Sequence, residues 1–396
     1  MFLEKEGKLI YSYDGETVCI EAWGKDALRV RATKNRSFTG RDWALEAKDA
    51  HAGEVEIFED PSAKGGAFAN MYEGTDTSYG KITNGKIHAV IDSGSVITFY
   101  HEDGRVLLKE HFRRLRDEES MPLNIMGREY SNGVGDNFRI VARFVAKKGE
   151  KIFGMGQYQQ HELDLKGCML ELAQRNSQVS VPFYLSSIGY GFLWNNPGVG
   201  QVMFANNGTE WVTESGKEID YLVIAGDTPA EIEENYMTLT GKPPMMPEYG
   251  MGFWQCKLRY WNQEQLLSVA RKYKELGVPL DVIVVDFFHW TKQGEFKFDP
   301  KYWPDVPGMC RELKEMGIQV VVSVWPTVDI YSENFEEMKE KGYLVRTEHG
   351  VPLTMLCGGN EVFFDATNPD ARTYVWEKIK KNYYDQGAKL FWLDVA

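Results

Sequence analysis

Along the first part of the chain, apolar and polar residues alternate in short runs. Thr17–Ala22, Ala27–Ala32, Gly85–Ile91, Ser95–Tyr100, Asn137–Phe144 and Val179–Leu185 alternate or are rich in β-branched and aromatic residues, the pattern of half-buried strands. Turn signals such as Tyr13-Asp14-Gly15 and Glu102-Asp103-Gly104 separate them. With no helical periods between, these strands predict an antiparallel sandwich. The first helix is predicted after Gly226-Asp227. Thr228 caps it, Pro229 suits its first turn, and Glu231 stands where a capping box needs it. Gly241 ends that helix, and a stiff stretch with Pro243, Pro244 and Pro247 follows. The organisation expected is a β-sandwich over 1–240 ending in a helix, a linker over 241–250, and a second domain over 251–396.

In that second domain the pattern changes. Gly252–Lys257, Leu280–Phe287, Ile318–Trp325 and Lys389–Val395 are apolar strands. The nearly continuous run in the second is what a parallel strand covered on both faces requires. Helical spacing falls between them, over Asn262–Leu276, Val306–Met316, Glu333–Lys341 and from Asn368 to about Gln386. Four strands alternating with helices fit a parallel barrel or a doubly wound sheet. A closed (β/α)8 barrel needs eight such strands, so the sequence reads as the first portion of a longer protein.

Both architectures gather their sites at the carboxyl ends of the strands. Those ends carry Gln255 and Lys257, with Arg259 just beyond. The second holds Asp286, Phe287, His289 and Trp290; the third, Trp325 and Asp329; the fourth, Trp392 and Asp394. Carboxylates accept hydrogen bonds from hydroxyls or attack an anomeric carbon, and aromatic rings offer flat faces to the C–H faces of a sugar. Each residue alone also has a structural use. An Asp at a strand end caps the next helix, a Trp in an apolar strand is core, and His289 suits a hydrogen-bonded interior. Only the convergence of the set points to a site.

Charge narrows the partners. Lys and Arg total 45 against 58 Asp and Glu, a formal net charge of −13 over 396 residues. Such a surface repels phosphate backbones and anionic lipid, so neither nucleic acid nor a membrane is an expected partner. Cys19, Cys168, Cys256, Cys310 and Cys357 are scattered without a CxxC pair, which fits a reducing compartment. With no leader-like run in Met1–Asp14, the expected location is cytoplasmic. Gly154-Met155-Gly156 lacks the third glycine of a dinucleotide loop, GxxxxGK[ST] does not occur, and the seven histidines never cluster. No cofactor and no metal are therefore expected. Arg113–Glu119 and Glu336–Lys341 are charge-rich runs that read as solvated faces.

Several motifs taken jointly resemble glycoside hydrolase family 31. Lys389–Ala396 (KLFWLDVA) resembles its nucleophile segment, and Val278-Pro279-Leu280 through Asp286 its second barrel strand. Phe296–Asp299 with Trp303-Pro304-Asp305, and Val324-Trp325-Pro326, resemble the stretches that follow. Upstream, Phe153–Gln157, Arg175–Tyr184 (RNSQVSVPFY) and Gly189–Leu193 resemble the end of the family's galactose-mutarotase-like β-sandwich. The resemblance implies an antiparallel β-sandwich followed by the first half, about four β/α units, of a (β/α)8 barrel, and a retaining α-glycosidase acting on an oligosaccharide, with Asp394 as nucleophile. It places Asp286 on the sugar hydroxyls, and Phe287, Trp290, Trp325, Trp392, Lys257 and Arg259 around the substrate. The family's acid/base lies further along than Ala396, so the 396-residue chain alone is expected not to turn over substrate. Gly156-Gln157 and Gln174-Arg175-Asn176 are most similar to the α-xylosidase branch, with Trp392 or Phe287 closing the space of a C6 hydroxymethyl. An α-glucosidase or glucosyltransferase of the same family is the alternative within this class. A non-catalytic carbohydrate-binding fragment is the rival from another, and a nucleotide-binding doubly wound protein is disfavoured by the absent phosphate loop. Homo-oligomerisation of the whole protein stays open.

Overall fold

The computed structural model describes residues 1–59, 78–111, 113–114, 124–347, 349–355 and 360–395. Cys357, Ala396 and residues 115–119 of the charge-rich run lie outside them. The chain forms two compact units, Met1–Pro243 and Pro244–Ala396. The first is antiparallel throughout its described sheets. Its main path runs Phe2–Lys5, Lys8–Tyr13, Glu16–Trp23, Ala27–Thr33, Ile219–Ala225, Tyr190–Trp194, Val179–Ser186 and Ile152–Gln157. Two five-stranded sheets accompany it. The alternating side chains meet in one aromatic core that includes Phe99, Phe144, Tyr184, Phe192, Trp194, Phe204, Trp211 and Tyr221. Buried charges inside this unit are paired: Arg29 donates to both Asp220 oxygens at 2.9 and 2.7 Å, and Arg128 bonds Glu16 and Glu110.

The helix after the sandwich spans Pro229–Thr240. Thr228 Oγ1 accepts from Glu231 N at 3.2 Å. The reciprocal half of the predicted capping box is shifted by one residue, because Glu231 Oε2 accepts from Asp227 N at 3.0 Å rather than from the cap. Lys86 holds the other Glu231 oxygen, which explains the longer reach.

The second unit is built on four parallel strands, β1 (Trp254–Cys256), β2 (Val282–Val285), β3 (Gln319–Val324) and β4 (Leu390–Leu393), hydrogen-bonded in chain order. Helices α1 (Gln263–Glu275), α2 (Val306–Glu315), α3 (Phe335–Glu340) and α4 (Pro369–Ile379) connect them. Asn262, Asp305 and Asn368 accept from backbone N–H groups in the first turns of α1, α2 and α4 at 2.9, 2.8 and 2.9 Å, as polar caps do. The helices pack on one face only. Leu266, Ala270, Met309, Leu313, Val375 and Ile379 meet Ile283, Val285, Val320, Val322 and Val324 there. Alternate residues Val282, Val284 and Val321 form a small separate cluster on the opposite face with Leu390 and Tyr249. Sequential strand order with all helices on one side is the arrangement of a (β/α)8 barrel wall. A doubly wound sheet would reverse strand order and carry helices on both faces. The unit is the first half of a barrel, open rather than closed.

The sequence assigns helix from Asn368 to about Gln386. In the structure α4 ends at Ile379 and Lys380–Tyr384 forms a π-helical turn, leading through Gly387, at φ +107°, into β4.

Candidate active site

Asp286, Trp325 and Asp394 are each the first residue beyond the last residue of β2, β3 and β4. Pairing places Cys256 opposite Val284, Val284 opposite Val321, and Val321 opposite Leu390. Continuing the alternation sends Asp286, Trp325 and Asp394 to the helix-free face. Direct contacts join them. Trp325 Nε1 donates to Asp394 Oδ2 at 3.1 Å, while the other Asp394 oxygen accepts from Val395 N at 2.9 Å. Asp394 N extends the ladder to Val324 O at 3.0 Å. Val395 then turns the chain with φ +62°, a left-handed value uncommon for a β-branched residue. The nucleophile candidate is therefore half-buried and oriented by two donors, not turned into the packed interior.

Asp286 is 7% exposed. Its Oδ1 accepts from Phe287 N at 2.7 Å and its Oδ2 faces Cys256 Sγ at 3.6 Å. Burial raises its pKa above the usual carboxylate range; the two donors oppose that, and the Asp394 charge adds to it. The two carboxylates thus stand within electrostatic reach of each other. Burial first, and then the neighbouring Asp286 carboxylate, push the Cys256 thiol up to about 11, so it stays protonated and able to donate.

Rings flank the carboxylates. Phe287 stacks on Trp325 with centroids 5.1 Å apart, and Trp290 meets Trp325 edge-on at 6.0 Å. Phe288, at φ +61°, lies 4.3 Å from Phe287. Arg259 reaches this cluster through Phe288, with its guanidinium 5.3 Å from that ring and 3.8 Å from Trp261. Trp392 is 43% exposed on the helix-free face, opposite Ser323 in the ladder. Lys257 is exposed directly after β1, outside these contacts. Two of the strand-end candidates are committed elsewhere. Gln255 points to the helix side, where Tyr273 Oη donates to its Oε1 at 2.7 Å, because it has the opposite parity to Cys256. Asp329 Oδ1 accepts from Tyr331 N at 2.7 Å in a local turn.

His289 is buried, with Nδ1 2.9 Å from the Asp286 carbonyl and Nε2 2.9 Å from Tyr383 Oη. Phe296, Phe298 and Trp303, which carry part of the family resemblance, fill the helix-side core, and Asp305 caps α2. Cys256 and Tyr383 are absent from the sequence-based set. The signal for Cys256 is its parity with Trp254 on β1; nothing local distinguishes Tyr383 from other core tyrosines. A cleft of about 600 Å³ lined by Glu295, Lys297, Asp299, Trp303 and Asn382 includes none of the strand-end residues. Among the described residues no group of three or more His, Cys, Asp or Glu is arranged to hold a metal ion. The arrangement can accept hydrogen bonds from a polyol, offer a carboxylate nucleophile, and stack a sugar face.

Comparison with known proteins gives this geometry a lineage. Residues 243–396 match the glycosyl hydrolases family 31 TIM-barrel domain, and 17–202 match the glycosyl hydrolase 31 N-terminal galactose mutarotase-like domain. The chain is 44% identical over 405 residues to an uncharacterized family 31 glucosidase, ORF2, of Pseudescherichia vulneris, covering all of this chain and 73% of that protein. It is 31% identical over 400 residues to alpha-xylosidase A of Aspergillus niger, covering 96% of this chain and 52% of that one. The crystal structure of a GH31 alpha-xylosidase from a soil metagenome, complexed with xylose, superposes with a TM-score of 0.88 at 48% identity. It covers 100% of this chain, which spans 57% of that protein. Two consecutive domain matches in family order, with relatives aligned along the whole sequence, place the chain in glycosyl hydrolase family 31.

Proposed function

We propose that the protein to which this chain belongs is a retaining α-xylosidase that removes α-D-xylosyl residues from the non-reducing ends of oligosaccharides. The observation that carries the reading is Asp394. It is half-buried at the end of β4, held by Trp325 Nε1 and Val395 N, and shares the helix-free face with Asp286. In the first step an Asp394 oxygen attacks C1, the bond from C1 to the aglycone oxygen breaks, and its electron pair leaves with that oxygen, which an acid protonates. In the second, water deprotonated by the same group attacks C1 and the ester opens, returning the carboxylate and releasing xylose with its configuration retained. Asp286 accepts hydrogen bonds from sugar hydroxyls, and the Phe287–Trp325 stack with Trp290 walls the ring. Phe287 or Trp392 restricts the space a C6 hydroxymethyl would need, favouring xylose over glucose. Arg259 and Lys257 are the remaining substrate contacts of this reading. In this reading the acid/base is contributed from outside residues 1–396.

A fluoride leaving group needs little protonation, so α-xylosyl fluoride separates nucleophile from acid/base. Incubation of the 396-residue chain with a fluorinated xylosyl fluoride should add one glycosyl mass, located on Asp394 by peptide mapping and absent from Asp394→Ala. No adduct, or an adduct elsewhere, refutes the assignment. Faster labelling by the glucosyl analogue shifts the reading to an α-glucosidase. Hydrolysis of an aryl α-xyloside by the chain alone, lost in Asp394→Ala, refutes the external acid/base.

A further inference from the structure

We propose that His289 and Tyr383 form a buried clamp that sets the placement of Asp286 relative to Asp394, making both positioning residues for the reaction proposed above, on which this inference rests. His289 Nδ1 lies 2.9 Å from the Asp286 main-chain oxygen, and Nε2 lies 2.9 Å from Tyr383 Oη. A carbonyl oxygen only accepts, so Nδ1 carries the hydrogen; in the neutral ring Nε2 is then the acceptor and the Tyr383 hydroxyl donates to it. The direction of both bonds is thereby fixed.

Each end of the clamp bears on the backbone that carries one carboxylate. On the Asp286 side, the three residues after the strand must turn sharply, with Phe288 at φ +61°, a costly conformation for a bulky side chain. His289 closes that turn through Nδ1, and its own carbonyl accepts from Asp299 N at 2.8 Å. On the other side, Tyr383 sits in the π-helical turn that delivers the chain to β4. Its carbonyl accepts from Ala388 N at 3.1 Å, two residues before the strand that leads to Asp394. The Tyr383 ring packs against Phe391 of β4 at 6.4 Å and Phe298 at 5.2 Å, and it bounds a void of about 10 Å³ beneath Trp290 and Trp325. Trp325 in turn grips Asp394. A π-turn in place of a regular helix end is what aims Tyr383 at His289, since an extra residue per turn rotates the side chains that follow.

Tyr383→Phe in the 396-residue chain tests this, because it removes one oxygen and keeps the ring. Long-range ¹⁵N–¹H NMR of histidine-labelled protein should show His289 in wild type as the Nδ1-protonated neutral tautomer. In Tyr383→Phe that fixed tautomer should be lost, and the Trp325 indole N–H resonance, assigned with Trp325→Phe, should move although Trp325 touches neither changed atom. The labelling rate by the fluorinated xylosyl fluoride should fall about tenfold, in the range expected when a buried hydrogen bond is left unmade. His289→Asn, which preserves a donor near the Nδ1 position, should retain more of the rate than His289→Ala. An Nε2-protonated His289 in wild type, or an unmoved Trp325 resonance in Tyr383→Phe, overturns the clamp, and so does labelling within twofold of wild type. If wild type is not labelled at all, the proposed nucleophile fails, while the two NMR readouts still decide the clamp.

Discussion

Acid should weaken the barrel unit through His289, and the size of the effect follows from its surroundings. The ring is 2% exposed and both nitrogens are occupied, so burial pushes its pKa down to about 4 from an ordinary 6.5. The groups facing it, the Asp286 carbonyl and the Tyr383 hydroxyl, leave no carboxylate in direct contact to stabilise an imidazolium. Between about pH 6.5 and 4 the unfolded chain binds a proton that the folded chain refuses. Stability therefore falls as pH drops through that window, and it levels off below about pH 4, where both states are protonated. A gap of about 2.5 pH units at about 1.4 kcal/mol each makes the loss about 3 kcal/mol. The assay is urea unfolding, followed by far-UV circular dichroism at a series of pH values, on wild type and His289→Asn. Every other titrating group contributes to both proteins, so the difference between the two curves isolates His289. Wild type should begin above the variant at pH 7.5 and lose about 3 kcal/mol of that advantage by pH 4. Parallel curves across the window would mean that His289 titrates alike in both states, and the buried neutral ring would be wrong.

Trp325→Phe keeps the stack on Phe287 but deletes the donor to Asp394 Oδ2. A hydrogen bond to a charged group contributes about 1.5–3 kcal/mol, so labelling by the xylosyl fluoride should slow by at least tenfold, and an unchanged rate would show the contact to be incidental. In the sandwich, Arg29→Met strands the fully buried Asp220 carboxylate, which should cost about 3–5 kcal/mol. Chemical denaturation measures this, with Asp220→Asn added as partial relief. Gly294 has φ +83°, and a Cβ there would lie 2.6 Å from Val328 Cα. Its carbonyl also accepts from Asn334 Nδ2 at 2.8 Å. Gly294→Ala should therefore lower stability by about 1–3 kcal/mol from backbone strain alone, read as a lower thermal midpoint; an unchanged midpoint would show that the loop between β2 and α2 relaxes freely.

What the amino-acid sequence determined by itself is the class of each half and the level at which chemistry could sit. Strand periodicity with turn punctuation makes a sandwich because period-two patterning leaves each strand one apolar face to bury. Runs such as Val282–Val285, apolar on both sides, need cover on both sides and so belong to a parallel sheet. The residue after each run escapes that constraint, which is why Asp286, Trp325 and Asp394 stood out. What tertiary structure alone decided is which of those residues meet. Inter-strand register put Cys256 against Asp286 and turned its neighbour Gln255 to Tyr273, and a shift by one residue would exchange the two. Helix-side cover separated barrel wall from doubly wound sheet. The Tyr383 contact with His289 joins residues 94 positions apart. It depends on a π-turn that no local pattern announces, because hydrogen-bond slippage within a helix is settled by what its side chains find to pack against.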